Sequence, residues 1–353
     1  MRVEALDAGG EEAWTAFVRD HPDATPYHTL AWRAVTVEGL RHRARHMLAR
    51  DASGTVMGVL PLFEVRGVFG RRLVAVPMRD RGGVLAANDE AADALVGAAV
   101  NLSRTLRCRY LELKSRTGLA PALAHRHGLI QVHNWITTRV DLTPGRDVLW
   151  KSLDKNAVRW AINNAHRNGV RVVLDESAEG IDRFATLFAR TRTEMGIPVY
   201  PVALFHAIRR HMISAGVANL MLAYRDDTPI NGMINLMWGD TFYPAYAAPQ
   251  SEWRKSYPSE TAIWHSIEWA VEHGYRTYDF GGDSPHQTGL LKFKKKWGGE
   301  AQEMTWDYHM TGGGQPPAFD SSTAGFRLAR RVWRILPPAA GGPLGAWVTR
   351  QLS

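Results

Sequence analysis

Four of the eight lysines in this 353-residue chain fall within five positions, at Lys292, Lys294, Lys295 and Lys296, with Phe293 among them and Trp297 just after. Lysine and arginine together number 43, so lysine is the scarce cation here and the cluster stands out from the composition. A lysine held in place by Leu290, Leu291, Phe293 and Trp297 can offer a point charge to a phosphate or a developing oxyanion, and Lys294 is the candidate for that role. Lys292, Lys295 and Lys296 are expected to face solvent or a polyanion. The competing reading of the whole run is a solvated basic turn.

Asp279 follows Tyr278 at the end of an expected strand, where open α/β sheets commonly place ligand sites. It is a candidate proton acceptor, with capping of the Gly281-Gly282 turn as the alternative. Tyr243 and Tyr246 lie on the preceding strand, and Tyr246 is read either as a substrate contact or as core. Lys155 and Arg159 sit four apart on one helix face that Asn163 continues. That row suits a phosphate-rich ligand or is simply a solvated face.

Other chemistries are excluded. The sequence has no P-loop, no dinucleotide glycine fingerprint and no GxSxG elbow. Its 14 histidines form no HExxH or Cys/His cluster, so no metal site is expected, and His42 and His46 are read as a surface pair. The single cysteine, Cys108, allows no intramolecular disulfide. The start, MRVEALDAGGEEAW, carries acids where a signal peptide would carry bases, and apolar runs such as Val56 to Phe63 fall short of the roughly 18 residues that span a bilayer. A cytoplasmic protein is expected.

The elements that must position these residues follow from periodicity. In the first half, helices are expected over 11–20, 28–39 and 89–107, and strands over 46–50, 55–65, 72–76 and 109–113. In the second half, helices are expected over 147–153, 154–168 (closed by Gly169), 178–194, 202–215 and 258–273. Strands are expected over 170–174 and 277–280, with three more between 217 and 248. The net charge of +8 is uneven. Residues 146–310 balance 19 basic against 19 acidic residues, whereas 311–353 carry 5 against 1. Beyond the linker Gly312 to Pro317, residues 326–336 mix Phe326, Leu328, Val332 and Trp333 with four arginines, a basic amphipathic segment stopped by Pro337-Pro338. Such a segment can lie on an anionic membrane surface, the alternative being a terminal helix docked on the body.

The two halves resemble each other. Met47-Leu48-Ala49 with Gly58 recurs as Met221-Leu222-Ala223 with Gly232, and Tyr110-Leu111-Glu112 is echoed by Tyr278-Asp279-Phe280. The order of elements matches as well, which predicts a duplicated α/β unit.

The second half resembles the FemAB-like branch of the GNAT acyltransferase superfamily. The residues that carry the resemblance are Lys155 to Arg159 through Arg167 to Val170, Tyr278-Asp279-Phe280-Gly281-Gly282, and Gly289 to Lys294 through Trp297-Gly298. The first half resembles the same family through Val59 to Phe63, Phe69-Gly70-Arg71 and Gly82 to Leu85. The resemblance implies an α/β (α+β) fold of tandem GNAT-like domains with mixed central sheets. The domains would be an N-terminal one over 1–145 and a FemAB-type one over 146–310, followed by a linker and basic tail over 311–353.

What the resemblance implies for function is N-acylation: transfer of an aminoacyl or acyl group to an amine of a cell-envelope peptide, glycan or lipid-linked precursor. In peptidoglycan-type relatives a Phe-Lys pair lies in the active site, and it matches Phe293-Lys294. Asp279 would then take the amine proton. The relatives' acceptor-phosphate lysine has no counterpart near Trp32, where Arg33 is the only cation. CoA-dependent GNAT domains carry a glycine-bearing pyrophosphate loop after the fourth strand. The second half offers Gln250 to Lys255 there, without glycine, and the first half offers Arg79 to Val84, making Arg79 a candidate donor contact. No tightly bound cofactor is implied. The donor is aminoacyl-tRNA, gripped in a salt-sensitive way by the Lys155–Arg159 helix, or alternatively acyl-CoA. The alternatives are an acetyl-CoA-dependent enzyme acting on an exopolysaccharide sugar and a non-catalytic glycan-binding module. The tail would hold the protein at the inner face of the membrane.

Overall fold

The computed structural model describes residues 1–68, 70–116, 118–317, 333–334 and 338–352. In chain order the elements begin β1 (Arg2–Ala5), α1 (Glu11–Asp20), α2 (Leu30–Leu40), β2 (Arg43–Ala44), β3 (Met47–Arg50), β4 (Val56–Leu60), β5 (Phe63–Gly67) and β6 (Gly70–Val74). Next come β7 (Leu85–Ala86), α3 (Asp89–Thr105), β8 (Tyr110–Ser115), α4 (Pro121–Arg126), β9 (Ile130–Asp141), α5 (Arg146–Ser152), α6 (Trp160–Arg167) and β10 (Val170–Leu174). They continue with α7 (Ala178–Met195), α8 (Val202–Ile208), β11 (Ala218–Arg225), β12 (Thr228–Trp238), β13 (Thr241–Ala247) and α9 (Pro258–Glu272). The last are β14 (Thr277–Asp283), α10 (Thr288–Lys295), β15 (Glu300–Met310) and α11 (Pro338–Leu352).

The chain divides into two compact units. Among the described residues the first takes 1–135, 303–317 and 350–352, and the second takes 136–302, 333–334 and 338–349. Most of β15, expected with the second domain, thus belongs to the first unit, where it pairs antiparallel with β8 from Thr305↔Ser115 to Met310↔Tyr110.

In the first unit β1, β3, β4 and β7 form an antiparallel sheet, and a second sheet runs β15-β8-β6-β5-β2 with β6 and β8 parallel. Helix α3 starts at Asn88, whose side chain accepts from the Ala91 amide at 2.9 Å. It buries Ala91, Leu95, Val96 and Ala99 against Leu60, Leu73 and Leu111. The strand expected over 55–65 is two strands, because Pro61 has no amide hydrogen to continue a ladder. His42 and His46 are not a surface pair. Both are buried, and His46 stacks on Trp14 with ring centroids 5.1 Å apart.

In the second unit β10, β11, β12 and β13 make an antiparallel meander. Strand β14 then lies parallel to β13, and residues 136–141 lie antiparallel to β14. Each unit therefore holds antiparallel strands and one parallel pair with a helix before its second strand, α3 before β8 and α9 before β14. That arrangement is the physical content of the duplication read from sequence. The helix expected over 154–168 begins with a π-helical turn, Lys155–Arg159, before α6, and Gly169 follows at φ 76°, a conformation glycine adopts without strain.

Residues 292–295 belong to helix α10 and Lys296 and Trp297 to the turn that follows it; Lys294 and Trp297 are buried and Phe293 half-buried, while Lys292, Lys295 and Lys296 are exposed. The basic amphipathic segment over 326–336 lies, apart from Trp333 and Arg334, outside the described residues. Pro338 opens a helix, as proline can in a first turn. No helix among the described residues is long and apolar enough to cross a membrane, and none of their His, Cys, Asp and Glu side chains group to hold a metal ion.

Candidate active site

Strands β13 and β14 pair only at Thr241↔Thr277 and Phe242↔Tyr278, although β13 continues to Ala247 and β14 to Asp283. Beyond that point β14 shifts its register against β9 between Asp279 and Gly282, around Gly281 at φ 77°. Past the bulge β14 stays paired with β9 and no longer with β13, which remains paired with β12, and this opens the sheet between β13 and β14. A cleft of about 1190 Å³ lies there. Asn231 and Met233 of β12, Pro244 and Ala247 of β13, Gln250, the first residues of α9, Phe280 of β14, and Leu290, Phe293 and Lys294 of α10 line it.

Lys294 is buried, and its ammonium is engaged. Nζ donates to the Phe280 carbonyl at 2.9 Å and the Gly281 carbonyl at 3.3 Å, and it pairs with Asp283 at 2.5 Å. An ammonium has three N–H donors, and three acceptors surround this one. The lysine, read from sequence as a charge offered to a ligand, thus clamps the bulge of β14 onto α10 while forming part of the cleft wall. Phe293 also lines the cleft and packs on Trp297.

Asp279 is placed differently from the sequence expectation. Alternation along β14 sends Tyr278 and Phe280 to one side and Asp279 to the other. Its carboxylate accepts from the Thr137 hydroxyl at 2.6 Å and the Gly281 amide at 3.0 Å, and it pairs with Arg139 at 3.4 Å. It does not line the cleft, so the capping alternative describes its position. Tyr246 is core: it is buried among Phe188, Tyr200 and Phe205, with centroids 5.6 to 6.2 Å away.

Lys155 and Asn163 are exposed and Arg159 is half-buried, and none of the three lines the cleft. Arg79 belongs to the first unit, where its Nε donates to the Met78 carbonyl at 2.7 Å. Its backbone oxygen accepts from Lys114, a buried lysine that also pairs with Glu112 at 2.7 Å. The glycines of that loop are close-packed. A Cβ at Gly82 would meet Val76 at 2.0 Å and one at Gly83 would meet the Lys114 carbonyl at 2.9 Å, so the loop is a packing element of its unit.

Sequence reasoning missed Asp283 and Glu260. Asp283 lies four residues beyond Asp279 on the same strand, and Glu260 follows the Tyr257-Pro258 helix start by two residues. Glu260 lines the cleft and is half-buried. Cys108 is buried, and burial pushes its thiol up to about 11, away from nucleophilic use.

The family model of the GNAT acetyltransferase domain matches residues 154–295, the stretch that contains both strands of the open pair and the cleft-lining helices α9 and α10. Residues 154–295 form a GNAT domain. The chain is 34% identical over 86 residues to a lipid II:glycine glycyltransferase of Staphylococcus aureus, a stretch that spans 22% of this chain and only 20% of that relative. Its fold is that of FemX, whose crystal structure superposes with a TM-score of 0.70 at 19% identity over 88% of this chain and 98% of that one. A tandem GNAT protein from the clavulanic acid biosynthesis pathway superposes at 0.61, with 13% identity over 89% and 99% of the two chains. The tandem GNAT architecture and the FemAB-like resemblance of the GNAT domain agree with these findings.

Proposed function

We propose that the chain is a FemAB-like N-acyltransferase that moves an aminoacyl group from an activated ester onto a primary amine of a cell-envelope precursor. The observation that carries this reading is the position of the cleft, at the open end of the parallel strand pair and inside the GNAT domain. An ester or thioester is already activated, so the protein has to orient donor and amine, remove a proton and exclude water. The apolar wall of Phe280, Phe293, Met233 and Ile263 suits exclusion of water. Lys294 acts as a positioning residue: by holding the Phe280 and Gly281 carbonyls it fixes the wall against which the acyl group lies. The sequence similarity to lipid II:glycine glycyltransferases supports aminoacyl transfer to a cell-wall precursor.

The second reading, acyl-CoA as donor with an exopolysaccharide sugar as acceptor, is favoured by one feature. The start of α9 has no side-chain cap, and its first residues line the cleft beside Arg254, a combination suited to phosphate. Incubating the protein with glycyl-tRNA and, separately, acetyl-CoA, each with lipid II or a glucosamine acceptor, separates the readings by which donor is consumed. Consumption of neither donor sinks both. Peripheral membrane contact through the tail is tested by co-sedimentation with phosphatidylglycerol vesicles. Equal binding by the full chain and a chain ending at residue 312 removes the tail from that role.

A further inference from the structure

The cleft wall holds a buried hydrogen-bond acceptor that the described residues leave unused. Gln250 is 1% exposed, and its Nε2 donates to the Leu187 carbonyl at 3.0 Å, to the Ala248 carbonyl at 3.1 Å and to the Thr191 hydroxyl at 3.1 Å. Acceptors on that side fix which way the amide is turned, because its oxygen would be repelled there. Oε1 is therefore left as a bare acceptor, and it has no hydrogen-bond partner among the described residues. A buried amide oxygen in that state costs free energy until a donor reaches it.

The second feature is Glu260, in the first turn of α9 and on the same cleft. It forms no hydrogen bond or ion pair among the described residues. The nearby carboxylates of β14 are committed elsewhere, Asp283 to Lys294 and Asp279 to Thr137, Gly281 and Arg139. The cleft thus combines a neutral acceptor and a carboxylate, and both select a ligand that is a donor and positively charged. Arg254 and Arg334 also line it and have the opposite preference, so an anion is the rival occupant.

We propose that Gln250 Oε1 and the Glu260 carboxylate form a subsite for a primary ammonium group of the substrate. The group is either the α-ammonium of an aminoacyl donor or the amine of the acceptor. The substrate naming rests on the transferase reading, whereas ammonium binding does not require turnover. Where the ammonium is the acceptor's, Glu260 takes one proton and frees the nitrogen lone pair to attack the acyl carbon. The C–N bond forms, the nitrogen releases its second proton to solvent, the bond from that carbon to the carrier oxygen breaks, and the first proton passes from Glu260 to that oxygen.

The test is calorimetric titration of the full chain with glycinamide, 1,5-diaminopentane, N-acetylglycinamide and pyrophosphate. Saturable binding of either amine, with none of N-acetylglycinamide, is expected. Tighter glycinamide assigns the subsite to the donor and tighter 1,5-diaminopentane to the acceptor. Glu260→Gln is expected to weaken the amine about tenfold at an unchanged melting temperature, and Gln250→Leu to weaken it as well. Should Gln250→Leu not fold, the Glu260→Gln comparison decides alone. The proposal is overturned if no amine binds, if N-acetylglycinamide binds equally well, if Glu260→Gln binds like the wild type, or if pyrophosphate displaces the amines. Amine binding without consumption of any donor upholds the subsite and sinks the transferase reading alone.

Discussion

Lys294 and Asp283 meet at 2.5 Å, each side chain only 8% exposed, and their contact ties α10 to the end of β14. The first unit repeats the device with different parts: Lys114 pairs with Glu112 at 2.7 Å and donates to the Val76 and Arg79 carbonyls at 3.0 and 2.9 Å. In both units a buried lysine gathers one carboxylate and two backbone oxygens beside the parallel strand pair.

Removing one partner of such a pair leaves the other charge buried without compensation. Lys294→Ala is expected to lower stability by about 3–5 kcal/mol, measured by urea unfolding, and to abolish donor consumption. Restoring part of that stability in Lys294→Ala/Asp283→Ala would confirm the coupling. A single variant as stable as the wild type would show that the pair does not hold α10 to the strand.

Asp279 holds the β14 bulge and does not touch the cleft. Asp279→Asn keeps acceptors for Thr137 and Gly281 but loses the charge facing Arg139, and a loss of about 1–3 kcal/mol is expected. Any residual activity should keep the acidic limb of its pH profile. Disappearance of that limb would make Asp279 the proton acceptor after all.

The buried histidines make the protein acid-labile. Burial holds His28 and His42 down at about 4 and His46 at about 3, against an unfolded value of about 6.5. Between these values the unfolded chain binds more protons, so the stability they contribute is complete above pH 6.5 and lost as the pH falls toward 4. Each imidazole contributes roughly 3 kcal/mol or more to that loss. His46→Gln should flatten the urea-midpoint profile between pH 6.5 and 4. An unchanged slope would count against a neutral, buried His46.

Asp307 works in the opposite direction. It is fully buried, accepts from Gln131 at 2.8 Å and from the Leu119 amide at 3.1 Å, and burial pushes it up to about 6. A carboxyl raised above its unfolded value favours the fold most below the unfolded value and loses that contribution as the pH rises through 6. In Asp307→Asn the acid-induced fall between pH 6 and 4 should steepen by about 3 kcal/mol relative to the wild type. Parallel profiles in the two proteins would contradict the shift.

By itself the sequence determined the local layer. The helix bounds follow from periodicity, as for α3 and α7, and from the Gly169 stop after α6. The duplication and the solvent-facing Lys292, Lys295 and Lys296 were legible for the same reason: they depend on sequence pattern, whereas the helix α10 that carries Phe293 and Lys294 was not. Tertiary structure alone decided which side of β14 each residue faces. That choice removed Asp279 from the cleft, and it depended on Thr137 and Arg139, some 140 residues earlier in the chain. It also decided that Lys294 is clamped, because Asp283 and the Phe280 and Gly281 carbonyls converge on it only once β14 bulges. Charge and hydrogen-bond commitments are set by neighbours in space, and a one-dimensional pattern carries spacing but not partners.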